Sequence, residues 1–386
     1  MREIYFEVTG KQHSLYDDLI RYPPDGYNFN TLINNSESLI QRILKINGVT
    51  SFLQEYPNKL IPINLTKSYI EKNKKITSGF WLTYSTGHVI FRSEPWITDL
   101  EHVLQFFGWN SRHLFTYKNI IEKKLSSTHC KKIIPWTDAG TKTLLENLDC
   151  KRFIDKIETI HLAVHKKEFK KRYSDNRINL LFVASANFPK DFDIKGGKEV
   201  LAAFEILNKK YDNLNLIMRT YIPRPLKSRY NKYKNILIID TIIPWSQLEN
   251  EFIKADIFLF PAHHTPGKVL LDAMSYQLPV ITTNLWANSE MINDGINGFL
   301  IDISKNVTYF SQKNIPNWGT SKFFNQIKNI DPIVVNDIVE KTSILIDDKK
   351  LRDKMGLIGR DFIENGKFSI QYRNNQLKKI FDEIIQ

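Results

Sequence analysis

The chain has 386 residues, more than one hydrophobic core commonly supports, so two domains are expected. Its 42% hydrophobic, 25% charged and 12% aromatic residues exclude a disordered chain and fit an ordinary globular protein, enzyme or binding module. Lys and Arg outnumber Asp and Glu by 54 to 42, a net charge of +12 that favours anionic partners without choosing among nucleotides, anionic lipid surfaces and nucleic acid.

The opening MREIYFEVTGKQHS has no long apolar core before its first charges, and no window approaches the roughly 18 uninterrupted apolar residues of a membrane span. Any membrane contact is therefore expected to be peripheral. In the first 170 residues IYFEV (4–8), HVIFR (88–92) and KKIIPW (131–136) read as strands, and SESLIQRILKI (36–46), LEHVLQFFGW (100–109) and AGTKTLLENL (139–148) as helices. The stretch PWITDLEHVLQFFGW brings Asp99, Glu101 and His102 together, either as a base and acceptor-binding cluster or as a helix start with solvated charges. Cys130 and Cys150 sit in no C-x-x-C or Cys/His metal spacing, so neither a disulfide framework nor a structural zinc is expected, and a reducing cytoplasm fits. The basic run KKEFKKRYSDNR (166–177) reads as a linker.

Beyond it the pattern becomes regular. INLLFVA (178–184), LNLIMR (214–219), NILIID (235–240), ADIFLF (255–260), LPVITT (278–283) and GFLI (298–301) are short apolar strands, and the amphipathic runs KEVLAAFEILNKKY and SQLENEFIKA lie among them. Alternation of this kind implies a parallel sheet covered on both faces. In such a sheet ligands bind beyond the carboxyl ends of the strands. The loop SANFPKDFDIKGG offers Lys195, Gly196 and Gly197 at a helix start, suited to a phosphate or simply to a glycine turn. The next strand ends in PAHHTPGKVLLDAM, where backbone N–H groups near Gly267 and Lys268 are candidates to face an anion. Asp272 there is either a ribose-binding carboxylate or a solvent-facing helix acid. A third loop, TTNLWANSEMINDGINGF, carries Glu290. The aromatic-rich SKNVTYFSQKNIPNWGTSKFFNQIKN (304–329) reads as an excursion that packs on something, and FSIQYRNNQLKKIFDEII as an amphipathic terminal helix.

The order KGG, ADIFLFP, VLLDAMSYQLPVITTN and SEMINDGINGFLI resembles the donor-binding half of the retaining GT-B glycosyltransferases of glycosyltransferase family 4. Those enzymes typically read E-x-F-G-x-x-x-L-E-A-M-A-x-G-x-P-V-I followed by P-E-x-I-x-D-G-x-x-G. The resemblance covers roughly residues 125–386, including KMGLIGRDFIENGKFS and CKKIIPWTDAGTKTLLENLDCKRFIDKIETIHLAV.

It implies an α/β fold of GT-B type: an acceptor-side Rossmann-like domain over 1–170, a nucleotide-sugar-binding one over 171–360, and a C-terminal helix, 361–386, crossing back to the first. It implies a transferase of glycan biosynthesis that moves a sugar, with retention, from a nucleoside-diphosphate donor to a carbohydrate or lipid-linked acceptor. The nucleotide sugar is a substrate, and neither a cofactor nor nucleic acid is expected. In this register Asp272 stands for the second glutamate of E-x7-E, which binds the ribose. Lys195 stands for the lysine that neutralises the diphosphate, Gly267 for the glycine beside it, and Glu290 for the recurrent acid after the next strand. Gly196, Thr265 and Lys268 complete the expected donor site, and His264 takes the place of the first glutamate. The family's arginine a few residues before the lysine has no counterpart in VASANF. No D-x-D pair is placed to hold a metal, so metal independence is expected, with contact to an anionic membrane surface left open. A GT-B nucleotide-sugar epimerase and a non-catalytic nucleotide-sugar or polyanion-binding protein are the rival expectations.

Overall fold

The computed structural model describes residues 1–7, 14–31, 62–73, 76, 79–171, 177–264 and 267–385. The expected helix at 36–46 and the candidate Thr265 lie outside the described residues, as does part of the expected linker. The chain divides into two compact units. One comprises Met1–Leu162, Gln312–Ile315 and Arg373–Gln386, and the other Ala163–Ser311 and Pro316–Tyr372. The division falls at Leu162 rather than at 170, and two later segments count with the first unit.

The first unit holds a five-stranded parallel sheet of β1 (Arg2–Glu7), β2 (Tyr27–Asn30), β3 (Phe80–Thr86), β4 (Trp96–Leu100) and β5 (Cys130–Pro135), in the order β2-β1-β3-β4-β5. Helices α1 (Ser111–Leu125) and α2 (Asp138–Asn147) follow β4 and β5. The expected strand at 88–92 is not one: the sheet takes the preceding residues 80–86. Gly87 (φ +68°) then turns the chain, and Ser68 donates to the Val89 carbonyl. His88 and Arg92 are drawn instead onto the buried Glu7 carboxylate, which they hold down at about 2 against the opposing effect of burial. The expected helix at 100–109 starts as the end of β4 and becomes a 3-10 helix over Val103–Phe107.

The second unit holds β6 (Ile178–Val183), the short helix α3 (Pro189–Ile194), α4 (Gly197–Lys210), β7 (Leu214–Arg219), β8 (Ile236–Ile239), α5 (Trp245–Lys254), β9 (Ile257–Phe260), α6 (Val269–Ser275), β10 (Val280–Thr283), α7 (Asn288–Met291) and β11 (Gly298–Ile301). All six strands are parallel, in the order β11-β10-β9-β6-β7-β8. Every residue of β6, β9 and β10 is buried, which explains why they read as largely apolar runs, with Asn179, Thr282 and Thr283 the polar exceptions. Helix α4 is built of good helix formers and packs Val200, Ala203, Phe204 and Leu207 inward at helical spacing. After β6 the chain proceeds through β7 and β8 on one side, then returns to the other side of β6 with β9. The order of the strands therefore reverses between β6 and β9, the position at which open α/β sheets bind ligands.

The excursion packs as expected: Val307, Tyr309, Phe323 and Ile327 form one core with Leu285. Two long helices follow, α8 (Pro332–Asp347) and α9 (Lys349–Glu364), before the last, α10 (Ile370–Ile385). Residues 361–364 thus close α9 instead of opening the terminal helix. Leu377, Ile380 and Phe381 of α10 are buried in the first unit among Ile4, Phe6, Tyr27, Phe29 and Leu82. Among the described residues no helix is long and apolar enough to cross a membrane.

Candidate donor site

Two loops flank the reversal point, one after β6 and one after β9. Their approach depends on a pair of glycines. Gly196 has φ +81°, and a Cβ there would stand 2.3 Å from the Pro261 carbonyl oxygen; one at Gly197 would stand 2.5 Å from the Phe192 ring. Without side chains, the turn from α3 into α4 passes directly against the end of β9. The two loops are then tied by a hydrogen bond from the His263 amide to the Ile194 carbonyl, 2.7 Å.

This brings together two residues far apart in the chain: Lys195 Nζ lies 3.5 Å from His264 Nδ1. A lysine ammonium can only donate, so in this contact a neutral imidazole accepts at Nδ1 and carries its proton on Nε2. The other wall of His264 is Trp318 of the excursion, 4.2 Å between ring centroids. His263 points into the core. Its Nδ1 lies 2.8 Å from the Tyr309 hydroxyl and its Nε2 3.3 Å from Glu199, with all three side chains buried. Burial pushes the Tyr309 phenol up, so it stays neutral in this network. Glu199, Tyr309 and Trp318 carry no expected role in the sequence; the aromatic richness of the excursion signals the last two, and nothing local signals Glu199 on α4.

Gly267 has φ +64° with no heavy atom within 4 Å of where a Cβ would stand, so the glycine serves the backbone turn and leaves open space beside it. Lys268 is the N-cap of α6 and Asp272 lies one turn on, 3.6 Å from Lys268 Nζ. Asp272 is 7% exposed, which removes the alternative of a solvent-facing helix acid. Glu290 is half-buried on α7, whose start is fixed by Asn288 donating to Thr282 Oγ1 and the Thr283 carbonyl.

The acceptor-side candidates lie in the first unit. Asp99 is 2% exposed, accepts hydrogen bonds from the Tyr16 and Tyr84 hydroxyls at 3.0 and 3.1 Å, and is pushed up to about 7 by burial. Glu101 is half-buried, its amide donating to Gln105. Of the two expected roles, His102 takes the helix start. Its Nδ1 accepts from the Leu104 amide, 2.9 Å, capping the 3-10 helix, and its Nε2 donates to the Asn314 carbonyl, 3.2 Å. Both nitrogens are committed, and the ring is a cap rather than a free base. Burial lowers its pKa to about 4. A histidine depressed from 6.5 keeps its full stabilising contribution above 6.5 and loses it as pH falls towards 4, because the unfolded chain takes up the proton first. Urea unfolding should therefore show stability falling between pH 6.5 and 4, by up to about 3 kcal/mol for this group. His102→Asn, which can still cap, should flatten that part of the profile.

Among the described residues no group of three or more His, Cys, Asp or Glu forms a candidate metal site.

Residues 177–313 match the family model for glycosyl transferases group 1, and this stretch carries the whole of the loop pair described above. Over 199 residues the chain is 24% identical to the capsular polysaccharide biosynthesis glycosyltransferase CapM of Staphylococcus aureus, covering 50% of this chain and 44% of that one. The chain thus spans less than half the length of this curated relative. Among solved structures, sucrose-phosphate synthase of Thermosynechococcus elongatus superposes with a TM-score of 0.66 at 13% identity, covering 100% of this chain and 99% of that one. HepE of Anabaena, solved with UDP and glucose, superposes with a TM-score of 0.59 at 11% identity, covering 99% of each. Two parallel-sheet α/β units with these neighbours make the fold GT-B.

Proposed function

We propose that this chain, a group 1 glycosyl transferase by its residues 177–313, moves a sugar from a nucleoside-diphosphate donor to a hydroxyl of a glycan or lipid-linked acceptor. The observation that carries the reading is the meeting of Lys195 with His264 at the reversal point of the second sheet. The buried Asp272 one short helix away supports it. Similarity to a protein solved with UDP and glucose supports a uridine nucleotide as the first donor class to try.

In such a transfer the bond between the anomeric carbon and the diphosphate oxygen breaks, and negative charge grows on the leaving group as the sugar becomes oxocarbenium-like. Lys195 supplies a fixed cation where that charge develops, a role that needs no metal. Asp272 accepts hydrogen bonds from the ribose hydroxyls, with Lys268 beside it. His264, its proton on Nε2, donates to a donor-sugar hydroxyl. Retention of configuration is the outcome the family resemblance implies. The net charge of +12 supports an anionic acceptor or membrane surface, and the two free, buried cysteines support a reducing, cytoplasmic setting.

Release of nucleoside diphosphate from a panel of nucleotide sugars, with and without glycan and lipid-linked acceptors, tests the proposal. Acceptor-dependent release is expected. An epimerised donor without release, or binding without turnover, would replace the reading with an epimerase or a binding protein. Within an active enzyme, His264→Ala should cost about tenfold in turnover, roughly 1.4 kcal/mol. His263→Ala should instead lower the melting temperature, since it removes the centre of a buried network.

A further inference from the structure

Arg219 ends β7, the strand paired with β6 on the side away from β9. Its side chain turns back over the end of β6, and one terminal N–H group donates to the Ala184 carbonyl at 2.8 Å. Ala184 opens the same loop that leads to Lys195. The Nε of Arg219 is buried without a hydrogen-bond partner, and among the described residues no carboxylate acts on the guanidinium. Burial acts against the cation, lowering its pKa. A partly desolvated guanidinium with an unused donor is costly unless an anion completes it, and its planar fork suits phosphate oxygens. The residue as a whole is only partly buried while Nε is enclosed, so a ligand would meet the guanidinium at its terminal nitrogens.

Strands in a sheet are about 5 Å apart, so the ends of β9 and β7 on either side of β6 lie about 10 Å from each other. Lys195 Nζ lies 5.8 Å from the centroid of Phe260, the last residue of β9. Two long cationic side chains thus approach the end of β6 from its two flanks. We infer that Arg219 is a second phosphate-binding cation of the donor site, gripping the diphosphate from the β7 side while Lys195 meets it from the β9 side. The inference rests on the nucleoside-diphosphate reading above and adds a residue that reading does not contain. The alternative is a purely structural strap that pins β7 to the end of β6.

Binding of UDP, measured by calorimetry, and of uridine, measured by ligand-observed NMR, separates the two. The full chain carrying Arg219→Gln should bind UDP at least tenfold more weakly, with uridine binding unchanged. Arg219→Lys, which keeps the charge but not the fork, should fall between. UDP affinity within twofold of wild type in folded Arg219→Gln would overturn the inference. So would equal losses for UDP and uridine, which would mark a general distortion of the site. Should Arg219→Gln fail to fold, Arg219→Lys decides alone: wild-type affinity for UDP at two salt concentrations would overturn the fork-like contact. Failure of the wild-type protein to bind UDP, GDP, ADP or dTDP would instead bring down the donor reading itself, and this inference with it.

Discussion

Lys195→Ala should lower turnover by about a hundredfold or more, while weakening binding of the intact donor much less. The ground-state donor already carries its diphosphate charges, but the bond-breaking step adds charge to the leaving oxygen. A preorganised cation stabilises the second state more than the first, and removal of one such group commonly costs about 100- to 1,000-fold. The fold should tolerate the change, because Lys195 is only partly buried and its contact with His264 is a long one at 3.5 Å. Single-turnover kinetics on the purified variant, beside donor affinity, checks the split. Equal losses in affinity and turnover would make Lys195 an ordinary binding residue, and normal turnover would reduce its loop to a turn.

Asp272→Ala should act on affinity. A buried carboxylate that accepts ribose hydroxyls makes charge-assisted bonds worth about 1.5 to 3 kcal/mol, so nucleotide affinity should fall by about 10- to 150-fold. The truncation also leaves Lys268 without its neighbour at 3.6 Å. Asp272→Asn, nearly isosteric, should retain more of the fold and still lose most of the affinity. A comparison of ribo- and 2′-deoxyribonucleotides gives the internal check: the wild-type preference for the ribose should shrink in both variants. Unchanged nucleotide affinity in either folded variant would remove the ribose role.

The second unit was legible because its chemistry repeats. Strands β6, β9 and β10 are buried on both faces, so each is predominantly apolar, and the amphipathic helices among them keep a clear period. The first unit hides the same architecture behind polar strands. Asp99 of β4 is buried with its carboxylate satisfied by Tyr16 and Tyr84, which arrive from elsewhere, a pairing with no local trace. The segment 88–92 has the apolar centre of a strand, yet beyond a left-handed turn at Gly87 its Val89 and Ile90 enter the core while His88 and Arg92 serve the Glu7 network. The helix α1 escaped notice as well. Its inward positions, His113, Leu114, Tyr117, Ile121 and Leu125, include a histidine and an only partly buried tyrosine, which blurs the apolar period.

In the candidate site, Lys195, Gly196 and Asp272 could be named from position and resemblance, since each lies in the loop-and-helix segment that follows a strand's carboxyl end. What could not be read was their company. Lys195 reaches His264 across 69 positions, and Trp318 reaches the same ring from an excursion beyond the sheet. Arg219 looked like the end of an apolar strand, and only the pairing of β7 with β6 places its guanidinium beside the loop leading to Lys195. His102 shows the opposite case. Its spacing with Asp99 and Glu101 suggested acid–base chemistry, but a backbone amide on one side and a carbonyl on the other consume both of its nitrogens.

The central claim is that the reversal point of the second sheet holds a nucleoside diphosphate. Isothermal titration of the full chain with UDP, and with GDP, ADP and dTDP in parallel, tests it most directly. One of the four should bind at a single saturable site, at least tenfold more weakly in Asp272→Ala. No binding of any of them, or binding that leaves Lys195→Ala and Asp272→Ala both at wild-type affinity, would contradict the account.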